Sequence, residues 1–196
     1  MTIFVEEIRS SINLHFLNKN QLHIKISQPE LKTNRLLLRK ILVADLDDLQ
    51  NVRYHPEVLR HIRRDVIDDK KKIESYILDR QKDIKTGKIY YWVISKLEDP
   101  KFIGTICLWN FNNEKTIAEI GYELHPDYHG KGLMSEAMEK VLNFGFKDLQ
   151  LKTIEAFTSK HNEPSKKLLN KFGFYLEPNR IDEGFPNNII YIKQHA

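Results

Sequence analysis

The sequence predicts a mixed α/β domain of the α+β kind, and three observations carry that prediction. The apolar runs Tyr90–Lys96, Lys101–Asn110 and Thr116–Leu124 are joined by the turn-forming links Glu98-Asp99-Pro100 and Asn112-Asn113-Glu114, which predicts an antiparallel meander. A loop carrying Gly130 and Gly132 then leads into a strongly apolar-periodic segment. Strand and helix patterns alternate from there to the end of the chain.

Residues 1–30 read as an N-terminal extension of unassigned role, and residues 31–196 as the domain. Within the extension, a hairpin around Asn18-Lys19-Asn20 and a helix over residues 3–16 fit equally. Arg35–Arg39 is a short buried strand. Ala44–Arg53 is a helix with Leu46, Leu49 and Val52 on one side, and a second short helix runs from Pro56 through Val58 to Ile62. Asp68 or Asp69 caps a third helix over residues 69–85, which Gly87 closes. After the meander, Leu133–Phe146 places Met134, Ala137, Met138, Val141, Leu142 and Gly145 at helical spacing. Thr153–Thr158 is a strand, Asn162–Lys171 a helix closed by Phe172-Gly173-Phe174, and Ile189–Ile192 a last strand.

The length of 196 residues suits one domain with a real core. A single cysteine, Cys107, excludes an internal disulfide framework and reads as core. The N-terminus lacks the pattern of a signal peptide, and no apolar run approaches the roughly 20 residues of a membrane span, so a soluble cytoplasmic protein is expected. The net charge of +4 is modest and its basic residues alternate with acids, which argues against nucleic acid as a partner. The densest basic runs, Arg60–Arg64 and Lys70–Lys72, read foremost as solvated helix faces, with contact to an acidic macromolecule or a phosphate as the alternative. His125 and His129 are four apart, but Pro126 and the loop glycines disfavour a helix there and no third ligand is evident, so no metal is expected. Tyr90, Tyr91 and Trp92 suit a strand core or the wall of a cleft.

The chemistry-bearing stretch is His125-Pro126-Asp127-Tyr128-His129-Gly130-Lys131-Gly132-Leu133-Met134-Ser135. The first turn of a helix leaves backbone N–H groups unpaired and carries partial positive charge. Glycines let an anion approach that backbone closely. Gly130, Lys131, Gly132, Leu133, Met134 and Ser135 could therefore cradle a diphosphate, although a plain turn explains the glycines too. The Walker pattern is absent, and Ser135 stands where a dinucleotide fingerprint has its third glycine. Glu155, about 20 residues on, leaves a weak dinucleotide reading.

His129-Gly130-Lys131-Gly132-Leu133-Met134 resembles the Gln/Arg-x-x-Gly-x-Gly/Ala signature of the GNAT N-acetyltransferase superfamily. His129 stands where the signature has Gln or Arg, and Met134 where it has a small residue. The stretches "NRLLLR", "HPEVLRHI", "FIGTICL", "AEIGYELHPDYHGKGLMSEA" and "NEPSKKLLNKFGF" look like successive blocks of the subfamily with ribosomal-protein N-terminal acetyltransferases and spermidine acetyltransferases. The resemblance covers about residues 31–195. It implies a mixed central sheet flanked by helices, with an antiparallel N-terminal meander and a splayed parallel strand pair. It implies acetyl-coenzyme A as cosubstrate, its pyrophosphate on the glycine loop from His129 onward. Its pantetheine arm would lie on backbone near Tyr122–Leu124, and Asn162 would contact the coenzyme. A backbone amide of the splayed strand would serve as oxyanion donor.

Along Ala118–Leu124, Glu119, Gly121 and Glu123 share one face, and Ile120, Tyr122 and Leu124 the other. A glutamate facing a covered sheet is used or paired with an arginine or lysine, and the alternative is a sheet face left open. Glu119 is the expected base for the acceptor amine, with Glu123 in reserve, and Ser165 the expected proton donor to the thiolate. Asn162 and Pro164 also explain themselves as helix-start residues. The expected acceptor is a primary amine, foremost a protein N-terminus. A polyamine or antibiotic is the alternative, with Asp65, Asp68 and Asp69 as weak candidates for an acidic cleft. A non-catalytic acyl-coenzyme A binding module is a further one. Residues 45–90 are expected to shape the acceptor site, and the protein to be a monomer or homodimer.

Overall fold

The computed structural model describes residues 27–62, 64–67 and 69–195. The readings of residues 1–26 and of Asp68 as a cap lie outside them. Among the described residues the chain forms β1 (Leu31–Lys32), β2 (Leu36–Arg39), α1 (Leu46–Arg53), α2 (Pro56–Leu59), α3 (Lys70–Thr86), β3 (Tyr90–Lys96), β4 (Phe102–Trp109) and β5 (Ile117–Leu124). It continues through α4 (Leu133–Asn143), β6 (Thr153–Ser159), α5 (Glu163–Lys171), β7 (Tyr175–Leu176) and β8 (Asn188–Gln194). One mixed sheet of order β1-β2-β3-β4-β5-β6-β8-β7 results. The meander is antiparallel, and β5 with β6 is the parallel pair.

The alternation of side chains along β3 divides the apolar residues between two cores. Tyr90, Trp92 and Ile94 join Ala137, Met138 and Val141 of α4 and Leu169 of α5 on one face. Tyr91 and Val93 join Leu49 and Val52 of α1 with Ile73 and Ile77 of α3 on the other. Burial on both faces explains why β3 and β4 read as continuous apolar runs rather than strict alternations.

Asp69 caps α3 by accepting the Lys71 N–H at 2.8 Å, and Gly87 ends it in the left-handed region at φ 69°. The second helix stops at Leu59 rather than reaching Ile62. The α4 pattern does not end at Phe146 but widens into a π turn over Phe144–Asp148. There a Cβ on Gly145 would come within 2.9 Å of Ile154 Cδ1, so the glycine lets the turn sit on β6. The two-residue strands β1 and β7 are too short to show a period in the sequence, and β8 is longer than expected. Gln28 and Pro29, upstream of the expected break at residue 31, are hydrogen-bonded to Tyr91 and Trp92 of β3.

Candidate active site

The chain leaves β5 through a 3₁₀ turn at Pro126–Tyr128 and enters the glycine loop. Gly130 and Gly132 have φ of 71° and 73°, a conformation that costs other L-residues energy. A Cβ at Gly130 would meet nothing within 4 Å, so backbone conformation rather than crowding calls for glycine there. Gly132 is the N-cap of α4 and supplies no side-chain cap bond. The N–H groups of Leu133, Met134 and Ser135 in the first turn are thus left for a ligand or water. Leu133 is buried in the core, and Met134 packs against it.

The loop is braced from both ends. His129 Nε2 lies 2.8 Å from the Leu124 carbonyl, so this side chain ties the loop to β5 instead of leaving only backbone to contribute. Lys131 Nζ donates to the Asp127 carbonyl at 2.7 Å. Arg35, which the sequence offered only as the start of a strand, donates to the Lys131 carbonyl at 3.0 Å and pairs with Glu136 of α4 at 2.7 Å. Its guanidinium adds positive charge beside the open helix end. Two left-handed glycines, an uncapped helix N-terminus and an adjacent arginine together fit a diphosphate.

The parallel ladder between β5 and β6 ends at Glu119 opposite Glu155, although the strands continue to Leu124 and Ser159. Beyond that point a wedge opens between them. The His125 N–H bonds the Ile103 carbonyl at 2.8 Å, which fixes the alternation of the β4–β5 ladder. By that alternation the main-chain groups of Ile120, Tyr122 and Leu124 face the wedge. The Leu124 carbonyl is already met by His129, and the Glu119–Glu155 bridge that closes the ladder takes the Ile120 N–H, so the groups left to the wedge are the Ile120 carbonyl, the N–H and carbonyl of Tyr122 and the N–H of Leu124. The wedge belongs to a cleft of about 900 Å³ with walls from Ile120–Glu123 and Ala156–Ser159.

On one side of the wedge stands the start of α5. Asn162 Oδ1 accepts the Ser165 N–H at 3.1 Å, the cap expected of it. Ser165 is buried, and its Oγ lies 2.8 Å from the Tyr122 hydroxyl. Burial pushes the Tyr122 phenol up to about 12, against the opposing hydrogen bond from Ser165. Tyr122 therefore brings a hydroxyl as well as backbone, which the sequence reading missed.

On the other side the two glutamates part company. Glu119 sits where the ladder ends, beside the cleft's β5 wall rather than in it, and accepts a hydrogen bond from the Asn110 amide. Burial raises its pKa above the ordinary value, the Asn110 bond opposes, and Glu155 adds to the rise. Glu123 lines the cleft and is 7% exposed, pairing with Arg53 at 3.3 Å and Arg64 at 2.8 Å. Its two oxygens face the two guanidinium groups and so hold them in place.

Those arginines correct two expectations. Arg64 lines the cleft and pairs with Glu123 instead of standing on a solvated helix face, because α2 ends at Leu59, while Arg60 is exposed as expected and also borders the cleft. Lys70–Lys72 are exposed as expected. Among the described residues no acidic cleft forms: Asp65 is exposed, Asp69 is spent on capping α3, and Glu123 is the carboxylate that lines the cavity. Tyr91 lines the cleft, whereas Tyr90 and Trp92 belong to the core. Cys107 also lines the cleft, and burial pushes its thiol up to about 12, so it stays protonated at neutral pH. Among the described residues no group of three or more His, Cys, Asp or Glu is arranged to hold a metal.

The family model for the acetyltransferase (GNAT) domain matches residues 35–175. The N-acetyltransferase p20 of Bacillus licheniformis is 35% identical over 147 residues, covering 75% of this chain and 83% of that protein. The spermidine N(1)-acetyltransferase of Escherichia coli is 30% identical over 89 residues, 45% of this chain and 48% of that one. The crystal structure of ribosomal-protein-S5-alanine acetyltransferase from Vibrio fischeri superposes with a TM-score of 0.75 at 22% identity, covering 85% of this chain and 96% of that one. No helix among the described residues is long and apolar enough to cross a membrane. The chain belongs to the GNAT family and is an N-acetyltransferase that draws its acetyl group from acetyl-coenzyme A.

Proposed function

We propose that the chain acetylates the α-amine of a protein N-terminus in the cytoplasm, in a direct transfer within a ternary complex. The observation that carries this choice of acceptor is the character of the cleft. It is wide, at about 900 Å³, and among the described residues it is lined by Arg53, Arg60, Arg64 and Arg80 against the single carboxylate Glu123. A polyamine, which carries several positive charges, would be repelled there. An α-amine carries one charge and loses it near pKa 7.7–8.0, well below a side-chain amine at about 10.4.

Acetyl-coenzyme A supplies an activated acetyl thioester. The residues that would hold it are the glycine loop from His129 to Ser135, with Arg35 beside it, the wedge-facing backbone of Tyr122 and Leu124, and Asn162. Glu119 takes the proton from the acceptor amine through water, its raised pKa bringing it closer to the working pH. Ser165 holds a proton for the departing thiolate and draws on the Tyr122 hydroxyl at 2.8 Å. A thiol pKa of about 8.5 makes that last demand mild.

Steady-state rates of Glu119→Gln and Ser165→Ala against pH test these roles. Wild-type kcat/KM is expected to rise with pH through a pKa above the ordinary glutamate range, and Glu119→Gln to lose that limb with at least a hundredfold fall in rate. Ser165→Ala is expected to fall less. Unchanged rates in both variants would remove the assignments while leaving the family membership intact.

A further inference from the structure

Among the described residues, the acceptor side of the cleft holds more positive charge than its carboxylates balance. Arg53 and Arg64 share Glu123. Arg80 pairs with Asp83 at 3.0 Å. Tyr76 stands between two of these cations, with the Arg53 guanidinium 4.6 Å and that of Arg80 5.2 Å from its ring centroid. The aromatic ring holds the two cations close together without neutralising either.

Two N–H groups in this cluster have no partner among the described residues. Arg64 Nη1 and Arg80 Nε are both buried, on side chains that are only 17% and 27% exposed. A buried donor without an acceptor costs about 1–3 kcal/mol, and more when it is charged. Both arginines line the same cleft. They lie on the side formed by α3 and the segment after α2. The glycine loop and α4 start the opposite side of the sheet, so the coenzyme's phosphates have their own cradle.

We propose that Arg64 and Arg80 form a subsite for an anionic group carried by the acceptor itself, a carboxylate or phosphate a short distance from the reacting amine. This rests on the reading of the cleft as the acceptor site. For a protein N-terminus the anion is an acidic side chain at the second or third residue. For a small molecule it is the carboxylate of an amino acid or the phosphate of an aminoalkyl phosphate. Glu123 holds Arg53 and Arg64 in fixed positions, which leaves the unpaired Arg64 Nη1 and Arg80 Nε to the ligand.

The test measures thiol release by the full chain at saturating acetyl-coenzyme A with matched acceptors. These are short peptides with Asp-Glu, Ala-Ala or Lys-Lys after the first residue, free aspartate, and an aminoalkyl phosphate. Acidic peptides are expected to exceed neutral ones by tenfold or more in kcat/KM, equivalent to about 1.4 kcal/mol, mainly through KM. In Arg64→Gln and Arg80→Gln that acidic-to-neutral ratio should collapse towards one. Arg64→Lys, which keeps the charge but not the fork, should retain part of it. Acetyl-coenzyme A binding by calorimetry checks that each variant is folded. Anionic small amines acetylated with no peptide accepted would uphold the subsite and overturn the protein N-terminus. Peptides acetylated without regard to charge, or a ratio unmoved in both glutamine variants, would overturn the subsite and leave the acceptor class standing.

Discussion

Replacing Glu123 by Gln removes the negative member of a buried cluster while keeping its shape. The carboxylate is 4% exposed at the side chain and faces Arg53 and Arg64, themselves 19% and 17% exposed. Removing one partner of a buried ion pair typically costs 3–5 kcal/mol, because the remaining charge stays behind. The arginines keep some contact with water and the new amide still offers an oxygen, so the lower figure of about 3 kcal/mol applies. For a domain of this size each kcal/mol lowers the melting temperature by about 2–4 °C, giving a fall of about 6–12 °C. Thermal denaturation followed by circular dichroism reads this directly. The double variant Glu123→Gln with Arg64→Gln should recover part of the loss, since it removes one of the stranded cations. A fall below about 2 °C, or a double variant worse than the sum of the singles, would refute the view that Glu123 is the counter-ion organising the cleft.

Gly132→Ala forces a left-handed φ of 73° on a residue with a Cβ, at a cost of about 1–2 kcal/mol, and should weaken acetyl-coenzyme A binding measured by calorimetry more than it lowers the melting temperature. Gly145→Ala places a methyl 2.9 Å from Ile154 Cδ1 and 3.2 Å from Leu108 Cδ1, so it should destabilise by about 1–3 kcal/mol in denaturant titration without altering KM for either substrate. Burial tends to raise the Glu136 pKa, but hydrogen bonds from Thr33 and Arg35 outweigh it and hold the carboxyl below its ordinary value of 4.5. Its stabilisation is therefore present above that value and lost as pH falls through the depressed one. Glu136→Gln should flatten the acid side of the stability profile measured between pH 2 and 5.

The elements that local chemistry specifies were legible in the sequence. Turn residues announced the meander, Asp69 and Asn162 sit at the helix starts they were expected to cap, and Gly130 and Gly132 marked a backbone that needs positive φ. What escaped was set by distant partners. Arg64 looks solvated in a run of charges, and only the fold brings it to Glu123. Tyr122 reads as one more apolar strand residue until its hydroxyl meets Ser165, 43 positions later. The π turn after α4 continues the helical spacing, so no period distinguishes it. The strands β1 and β7 exist because neighbours pair with them, not because two residues carry a pattern.

Gln28 imitates a strand with its side chain. Its amide oxygen accepts the Tyr91 N–H at 2.7 Å and its amide nitrogen donates to the Tyr91 carbonyl at 2.8 Å, while Pro29 receives the Trp92 indole at 2.7 Å. The family match begins at residue 35, so a chain trimmed to that match would strip the clasp from the very strand whose Tyr91 walls the cleft. Anyone shortening this protein for crystals or assays should begin upstream of Gln28, or expect a frayed strand at the wall of the cleft.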